Sequence, residues 1–266
     1  MAGLPSIRQS GMPVNWQAPL NRGLERWWKA LPWLMRGPIW RDLTRRQAGV
    51  LTTGAVWKGT PRLGGVSAVS FDGSAAVVTI AVTRTVFTLA AWIRTSASTT
   101  QQILGGVGEN NQWRVETDGN LRILTNSASE IDLTTTGVTL NDGKWHHVMA
   151  TNTGTATALA VDGRIAGSVA TGSVNARTWD CIGHRTGSGE GFNGEIDDVR
   201  IYSRALDASA IRALYTASRC GDVCEVLWAP WALAAVAAGR TTKNTRSLGL
   251  GRQHGMGFRT QIQPVG

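Results

Sequence analysis

The chain reads as an all-β protein: a two-sheet antiparallel jelly-roll sandwich with one short C-terminal helix and an extended arm at each end. Three observations predict this. From about Val66 the sequence breaks into short runs rich in Val, Ile, Thr, Leu and Trp, the residue types that pack on a pleated surface. Asp-Gly pairs stand between the runs at 72–73, 118–119, 142–143 and 162–163, and such pairs tolerate the positive φ of tight hairpins. The 266 residues include 32 glycines and are 42% apolar, which supplies turns for many short strands and a core for one large domain.

Taken in order, residues 1–19 hold three prolines and little periodicity, and are expected to form an extended arm. Between 22 and 46, Trp27, Trp28, Trp33 and Trp40 lie among seven basic residues. Such a mixture suits stacking and cation–π contacts at an interface, or else the indoles cover one edge of the sandwich. Covering is the expected role of Trp27 and Trp28. For Trp33 and Trp40 both roles stand.

The strand runs follow: VSAVSF (66–71), AAVVTIAV (75–82), VFTLAAWIRT (86–95), QQILGGV (101–107), QWRVET (112–117), NLRILT (120–125), WHHVMATN (145–152), ATALAVD (156–162), RIAGSVA (164–170), TWDCIG (178–183) and EIDDVRIY (195–202). A helix comes next. Asp207 is placed to cap it, Leu206 to staple it, and Ile211, Leu214 and Tyr215 give it an apolar stripe. Beyond Ser218 the strand pattern stops. The apolar stretch 226–239 is 14 residues long and broken by Pro230, short of the roughly 20 that cross a bilayer. It reads as a docking segment, with an interfacial membrane segment as the weaker option. Residues 240–266 are basic and Gly-rich, and are expected to need a partner to order them. These breaks divide the chain into an arm (1–19), a sandwich (20–216) and an apolar-then-basic tail (217–266).

Charge follows the same division. Net charge is +9. Residues 1–65 carry ten Lys/Arg against two acids, 66–216 eleven against fourteen, and 217–266 six against two. A nucleic-acid-binding fold concentrates positive charge on its folded face. Here it sits at the ends, so nucleic acid is an unlikely partner and the ends suit an acidic partner surface. The three cysteines, Cys181, Cys220 and Cys224, are an odd number and complete no disulfide framework. Either Cys220 and Cys224 close a small loop or all three are thiols. The opening MAGLPSIRQSGMPVNW lacks a basic segment followed by an apolar one, so no secretory signal is expected.

The runs GLERWW (23–28), RDLTRRQAGVLTTGAVW (41–57), GGVSAVSFDG (64–73), FTLAAWIRT (87–95), LNDGKWHHVMATNTG (140–154), ALAVDGRIAG (158–167) and FNGEIDDVRIYSRALDASAIRALY (192–215) together resemble laminin-G-like and pentraxin-like domains of the concanavalin A-like lectin/glucanase fold. The resemblance spans about residues 20–216. It implies the sandwich, and it implies a calcium site at Asp72 with Asp197 or Asp198, positions that match acids of the family. Relatives often add an acid after FDG, whereas SAAVV (74–78) supplies none. The other roles for these carboxylates are turn formation at Asp72 and turn or ladder hydrogen bonds at Asp197 and Asp198.

Enzyme readings fare less well. The laminarinase-type glycosidases that the resemblance brings in use a Glu-x-Asp-x-(x)-Glu strand. Glu195 and Asp197 fall on one face, roughly 6.7 Å apart along a strand. The second Glu would fall at Val199 or Arg200, which leaves no acid for retaining hydrolysis. His146 and His147 alternate to opposite faces of their strand and cannot share a metal. His184 sits in a Gly-rich loop. No nucleophile elbow and no phosphate-binding glycine loop appears. The chain is therefore expected to be non-enzymatic.

Two functions remain. One is a structural subunit of a larger assembly such as a phage particle, as a capsid decoration or a tail- or fibre-associated protein. It would contact neighbouring subunits through Trp228, Trp231, Arg240, Lys243 and Arg246, in a virion or extracellular setting. The other is a glycan-binding adhesive module, with loop candidates Asn110, Asn111, Trp113, Trp179, Arg185 and Glu190. For Trp113 and Trp179 a core position is the favoured reading. The two functions are compatible.

Overall fold

The computed structural model describes residues 14, 16–31, 37–62, 66–74, 78–106, 111–125, 131–185 and 189–219. A 3-10 turn at Pro19–Asn21 precedes sixteen strands and one helix. The strands are β1 (Leu24–Trp28), β2 (Ile39–Trp40), β3 (Gly49–Val50), β4 (Ala55–Arg62), β5 (Val66–Asp72), β6 (Val78–Arg84), β7 (Phe87–Arg94) and β8 (Gln101–Gly105). They continue with β9 (Asn111–Val115), β10 (Leu121–Thr125), β11 (Ile131–Thr134), β12 (Trp145–Asn152), β13 (Ala156–Val161), β14 (Arg164–Ala170), β15 (Arg177–Ile182) and β16 (Asn193–Tyr202). Helix α1 is Ala208–Arg219.

Two antiparallel sheets face each other. One has the order β14-β13-β12-β7-β16-β5-β4, with β1 added to β16; the other has the order β11-β10-β9-β8-β15-β6. A short pair, β2-β3, stands beside them. The fold is the expected sandwich. All eleven expected runs form strands, and WHHVMATN and RIAGSVA match β12 and β14 to the residue. The pattern misses β1 to β4 and β11, whose sequences are either short or broken by charged and small residues.

The Asp-Gly pairs divide into two kinds. Asp118-Gly119 and Asp162-Gly163 close hairpins, β9-β10 and β13-β14. Asp162 and Gly163 have φ of 48° and 78°, both positive, as a tight two-residue hairpin needs. Gly163 is also sterically required, since a Cβ there would lie 2.7 Å from the Tyr215 ring. Asp72-Gly73 and Asp142-Gly143 instead lead from one sheet to the other.

The main core lies between the sheets and includes Trp28, Phe71, Leu89, Ile93, Trp113, Val148, Trp179 and Ile201. A second cluster, with Trp27, Ala90, Met149, Tyr202, Ile211 and Leu214, lies on the other face of the larger sheet. There α1 packs over the sheet, and β1 contributes Leu24 and Trp27 to the cluster. This explains β7: both of its faces are covered, so its sequence is a continuous apolar run rather than an alternating one. Helix α1 starts as expected. Asp207 Oδ1 accepts from Ala210 N at 2.8 Å, and Ile211 and Leu214 are fully buried. Each such aliphatic side chain contributes about 1.5–3 kcal/mol by leaving water. Tyr215 stacks on Trp92, with ring centroids 5.8 Å apart, and Trp92 Nε1 donates to Ser218 Oγ.

Candidate functional site

Strand β16 organises the chemistry. Its first half, Asn193–Ile196, pairs with β5. A bulge at Asp197–Asp198 follows, with Asp198 at φ 53°. Its second half, Val199–Tyr202, pairs with β1. The three acids of EIDD therefore meet three environments.

Asp197 and Asp198 are buried where β5 hands over to β1. Asp197 Oδ1 accepts from the backbone N–H of Ala30 at 2.8 Å, fixing the chain as it leaves β1. Asp198 accepts from Trp27 Nε1 at 2.6 Å and takes both Arg200 Nε (2.8 Å) and Nη2 (3.1 Å). Lys29 Nζ stands 3.9 Å away, and the Arg200 guanidinium lies 4.2 Å from the Trp27 ring centre. Trp27 is buried in the covering role expected of it, and its ring also takes a cation–π contact inside the fold, from Arg200. Asp72 is exposed at its turn, bound to Ser74 N and Oγ. The structure does not bring Asp72 together with Asp197 or Asp198, and among the described residues no group of three His, Cys, Asp or Glu could hold a metal.

Glu195 faces a cleft of about 340 Å³ at the end of the larger sheet, lined by Lys58, Ser70, Phe71, Arg94, Thr95, Ser96, Gly143, Asn193, Gly194 and Glu195. Antiparallel register places Glu195 directly between Ser70 on β5 and Arg94 on β7. Arg94 grips the carboxylate with both arms, Nε at 2.5 Å and Nη2 at 2.9 Å, and Lys58 Nζ adds a third contact at 2.6 Å. Burial would raise this carboxyl, but Arg94 and Lys58 hold it below the ordinary carboxylate value. Glu195 is thus an ionised acceptor at neutral pH, not a proton donor. The Arg94 guanidinium also lies 5.5 Å from the centre of the Trp145 ring. Gly194 lets β16 approach β7 here, since a Cβ would meet Arg94 O at 2.1 Å.

The rim is tied down in two places. Thr95 Oγ1 bonds Gln101 Oε1 and Asn193 O, and Asn193 N bonds the same Gln101 oxygen. On the other side Gly143 N donates to Thr95 O. The turn carrying Gly143 is held by His146, whose Nε2 is 3.1 Å from Asp142 and whose Nδ1 is 2.9 Å from Asp162. His147 points the opposite way, against Trp92 and Tyr215, as the alternation predicts.

Of the proposed glycan-contact residues, Arg185 and Glu190 do come together, 3.5 Å apart in the connection between β15 and β16. Gln102 Nε2 donates to Glu190 at 2.7 Å, and Arg114 stands 3.7 Å from it. Trp113 and Trp179 are a correction to that set. Both are 0% exposed between the sheets, where inward register positions place them, and neither offers a ring face to a ligand. Asn111 is buried, with Nδ2 donating to Thr178 O. Asn110 and the assembly candidates Trp228, Trp231, Arg240, Lys243 and Arg246 lie outside the described residues, as do Trp33, Cys220 and Cys224. Cys181 is buried, its thiol directed at His184 O. Sequence reasoning missed Lys58 and Arg94 because their shared partner, Glu195, comes near only once distant strands are paired, and it missed Asn193 because its partners Thr95 and Gln101 lie on other strands and loops. The available signal was a lone arginine closing the apolar run FTLAAWIR.

A family model described as the concanavalin A-like lectin/glucanases superfamily matches residues 67–212. No curated protein matches the chain. Among solved structures, domain 4 of AbnA, an extracellular arabinanase from Geobacillus stearothermophilus in complex with arabinotriose, superposes with a TM-score of 0.59 at 17% identity. It covers 72% of this chain and 98% of that one. The binding domain of Paraclostridial Mosquitocidal Protein 1 gives 0.57 at 16%, covering 74% and 52%. Trypanosoma rangeli sialidase with 2,3-difluorosialic acid gives 0.56 at 20%, covering 74% and 33%. The chain thus spans about half of the second and a third of the third, and at these identities the likeness is one of fold.

Proposed function

The chain belongs to the concanavalin A-like lectin/glucanases superfamily, and from that premise we propose that it is a non-enzymatic glycan-binding module whose saccharide site is the cleft at Lys58, Arg94, Asn193 and Glu195. The observation that carries this reading is the fixed polar lining. Arg94, Lys58 and Glu195 hold one another in place before any ligand arrives, so little ordering cost remains on binding. They present N–H donors and carboxylate acceptors in the mix that sugar hydroxyls use. Trp145, beside Arg94, supplies an aromatic surface of the kind that packs on a sugar ring. That a structural neighbour was solved with arabinotriose supports the same class of ligand.

A binding role is favoured over hydrolysis because Glu195 is the one carboxylate among the described residues lining the cleft. The usual glycosidase mechanism uses two, one of them able to give up a proton. The test is a glycan array followed by calorimetry on each hit. Arg94→Ala and Glu195→Gln should each lower affinity at least tenfold, while no reducing sugar is released. Unchanged affinity in both variants, or release of sugar, would overturn the reading.

Assembly into a larger particle is a second, compatible reading. It is supported by the net +4 of residues 217–266 and the apolar stretch at 226–239. Sedimentation of native source material, with mass spectrometry of the pellet, tests it. Co-sedimentation in fixed ratio with other subunits is the expected result.

A further inference from the structure

At the opposite end of β16 from the cleft the structure gathers arginines around a single acid. Glu25, on β1, is buried and receives an ion pair from Arg84 on β6, which belongs to the facing sheet. Arg46 Nη1 stands 4.0 Å from the same Glu25 oxygen. Arg26 adds a third guanidinium. Its Nη1 donates to the Glu25 carbonyl at 3.0 Å, and its Nε is buried with no hydrogen-bond partner among the described residues. Burial first, and then Arg46 and Arg84, depress the Arg26 guanidinium despite the pull of Asp42 and Glu25. Two cations, Arg46 and Arg84, therefore meet one carboxylate while Arg26 stands beside them on the Glu25 carbonyl, and Arg41 and Arg45 are exposed on the adjoining loop.

That loop is held rigidly. The Asp42 carboxylate accepts from Trp27 N (3.0 Å), Thr44 N (2.8 Å), Arg46 N (3.1 Å) and Gln47 N (3.0 Å), and from the Thr44 hydroxyl. Gln47 in turn accepts from Ala81 N of β6 with its side chain and from Trp28 Nε1 with its carbonyl. Asp42 is fixed by these bonds, and its charge also acts on Arg26. The cluster is an array of forked donors with more positive charge than its own acids neutralise, held still before any ligand comes.

We propose that Arg26, Arg46 and Arg84 form a second binding site, for the sulfate or phosphate ester group of a modified saccharide, separate from the cleft. The planar fork of arginine matches a tetrahedral oxyanion, and three forks on a fixed frame favour a doubly charged ester over a lone carboxylate. A nucleic-acid backbone would carry the same esters. However, Trp27, Trp28 and Trp40 are all buried, so they provide no platform for the base stacking on which single strands depend. The two sites lie about 20 Å apart along β16, six residues of extended chain from Glu195 to Ile201, the partner of Arg26. Each can therefore fail without the other.

The test is calorimetric titration of the full chain with dextran sulfate, with unsulfated dextran and a thymidine oligonucleotide as comparisons. Arg46→Gln with Arg84→Gln should weaken dextran sulfate binding at least tenfold. Arg164→Gln with Arg212→Gln removes the same charge from exposed positions elsewhere and should change it less than twofold. Arg46→Glu, at a side chain 52% exposed, should repeat the loss as a single change. Equal losses in the two double variants would reduce the effect to general charge attraction and overturn the site. Tighter binding of the oligonucleotide than of dextran sulfate would overturn its assignment to saccharide. Failure of the cleft variants to affect glycan-array hits would bear only on the cleft.

Discussion

The two halves of β16 use the same residue types to opposite ends. In the first half, Glu195 meets Arg94 and Lys58, whose side chains remain 28% and 51% exposed. In the second, Asp198 meets Arg200 and Lys29, all three at 1%. Water reaches the two cations of the first cluster, although Glu195 itself is 6% exposed, so Arg94 and Lys58 stay available to a ligand and depend less on their partner. It is shut out of the second, so there each charge depends on its partner. What separates a binding site from a structural lock in this strand is which neighbour lies alongside, β5 or β1.

Breaking the lock should have the largest effect. Asp198→Asn keeps a residue that tolerates the left-handed backbone but leaves Arg200 and Lys29 buried without the carboxylate that pairs them. We expect a loss of about 3–5 kcal/mol in denaturant unfolding. A loss under about 1 kcal/mol would mean that burial is not what distinguishes the halves. The matching change in the first half, Glu195→Gln, frees two cations that water already solvates. It should cost less than about 1 kcal/mol while weakening glycan binding, so stability and affinity should move in opposite proportion at the two ends.

The smallest expected effect sharpens the comparison at the cleft rim. Asp162, chiefly, holds the His146 imidazole above its ordinary pKa of 6.5, against burial and with help from Asp142. Burial would raise Asp142, but Lys144 and His146 bring it to about 2, so both acids stay ionised across the neutral range. A raised histidine pKa stabilises the fold below its unfolded value, and that contribution fades as pH climbs through the folded value. The melting temperatures of the parent and His146→Gln should therefore differ most near about pH 5.5 and converge by about pH 9. A gap that widens with rising pH would refute the ion-pair role.

Much of the fold was legible because strand period and turn chemistry are local. WHHVMATN is a compact run bounded by Asp-Gly on one side and Gly154 on the other, so its limits follow from sequence. LERWW gave no such signal. Its tryptophans were expected to cover the sandwich, but which face each covers emerges only with β1 beside β16, Trp27 under one face and Trp28 under the other. EIDD shows why site residues are harder. The carboxylates are visible in sequence, but their roles depend on Lys29, Lys58 and Arg94, which only the sheet order brings near. For Trp113 and Trp179 bulk and apolarity favoured the core, where the structure places them, although residue type alone does not reveal which way a strand position points.

The division of one edge of β16 between β5 and β1 also sets an order of events in folding. Trp27 and its acceptor Asp198 are 171 residues apart, so loop closure over nearly the whole sandwich precedes that bond. During synthesis the paired indoles of LERWW must wait, uncovered, until the last strand leaves the ribosome. Folding of this chain therefore finishes near where its sandwich begins, and slow late closure, with a matching need for protection of that segment, is built into its topology.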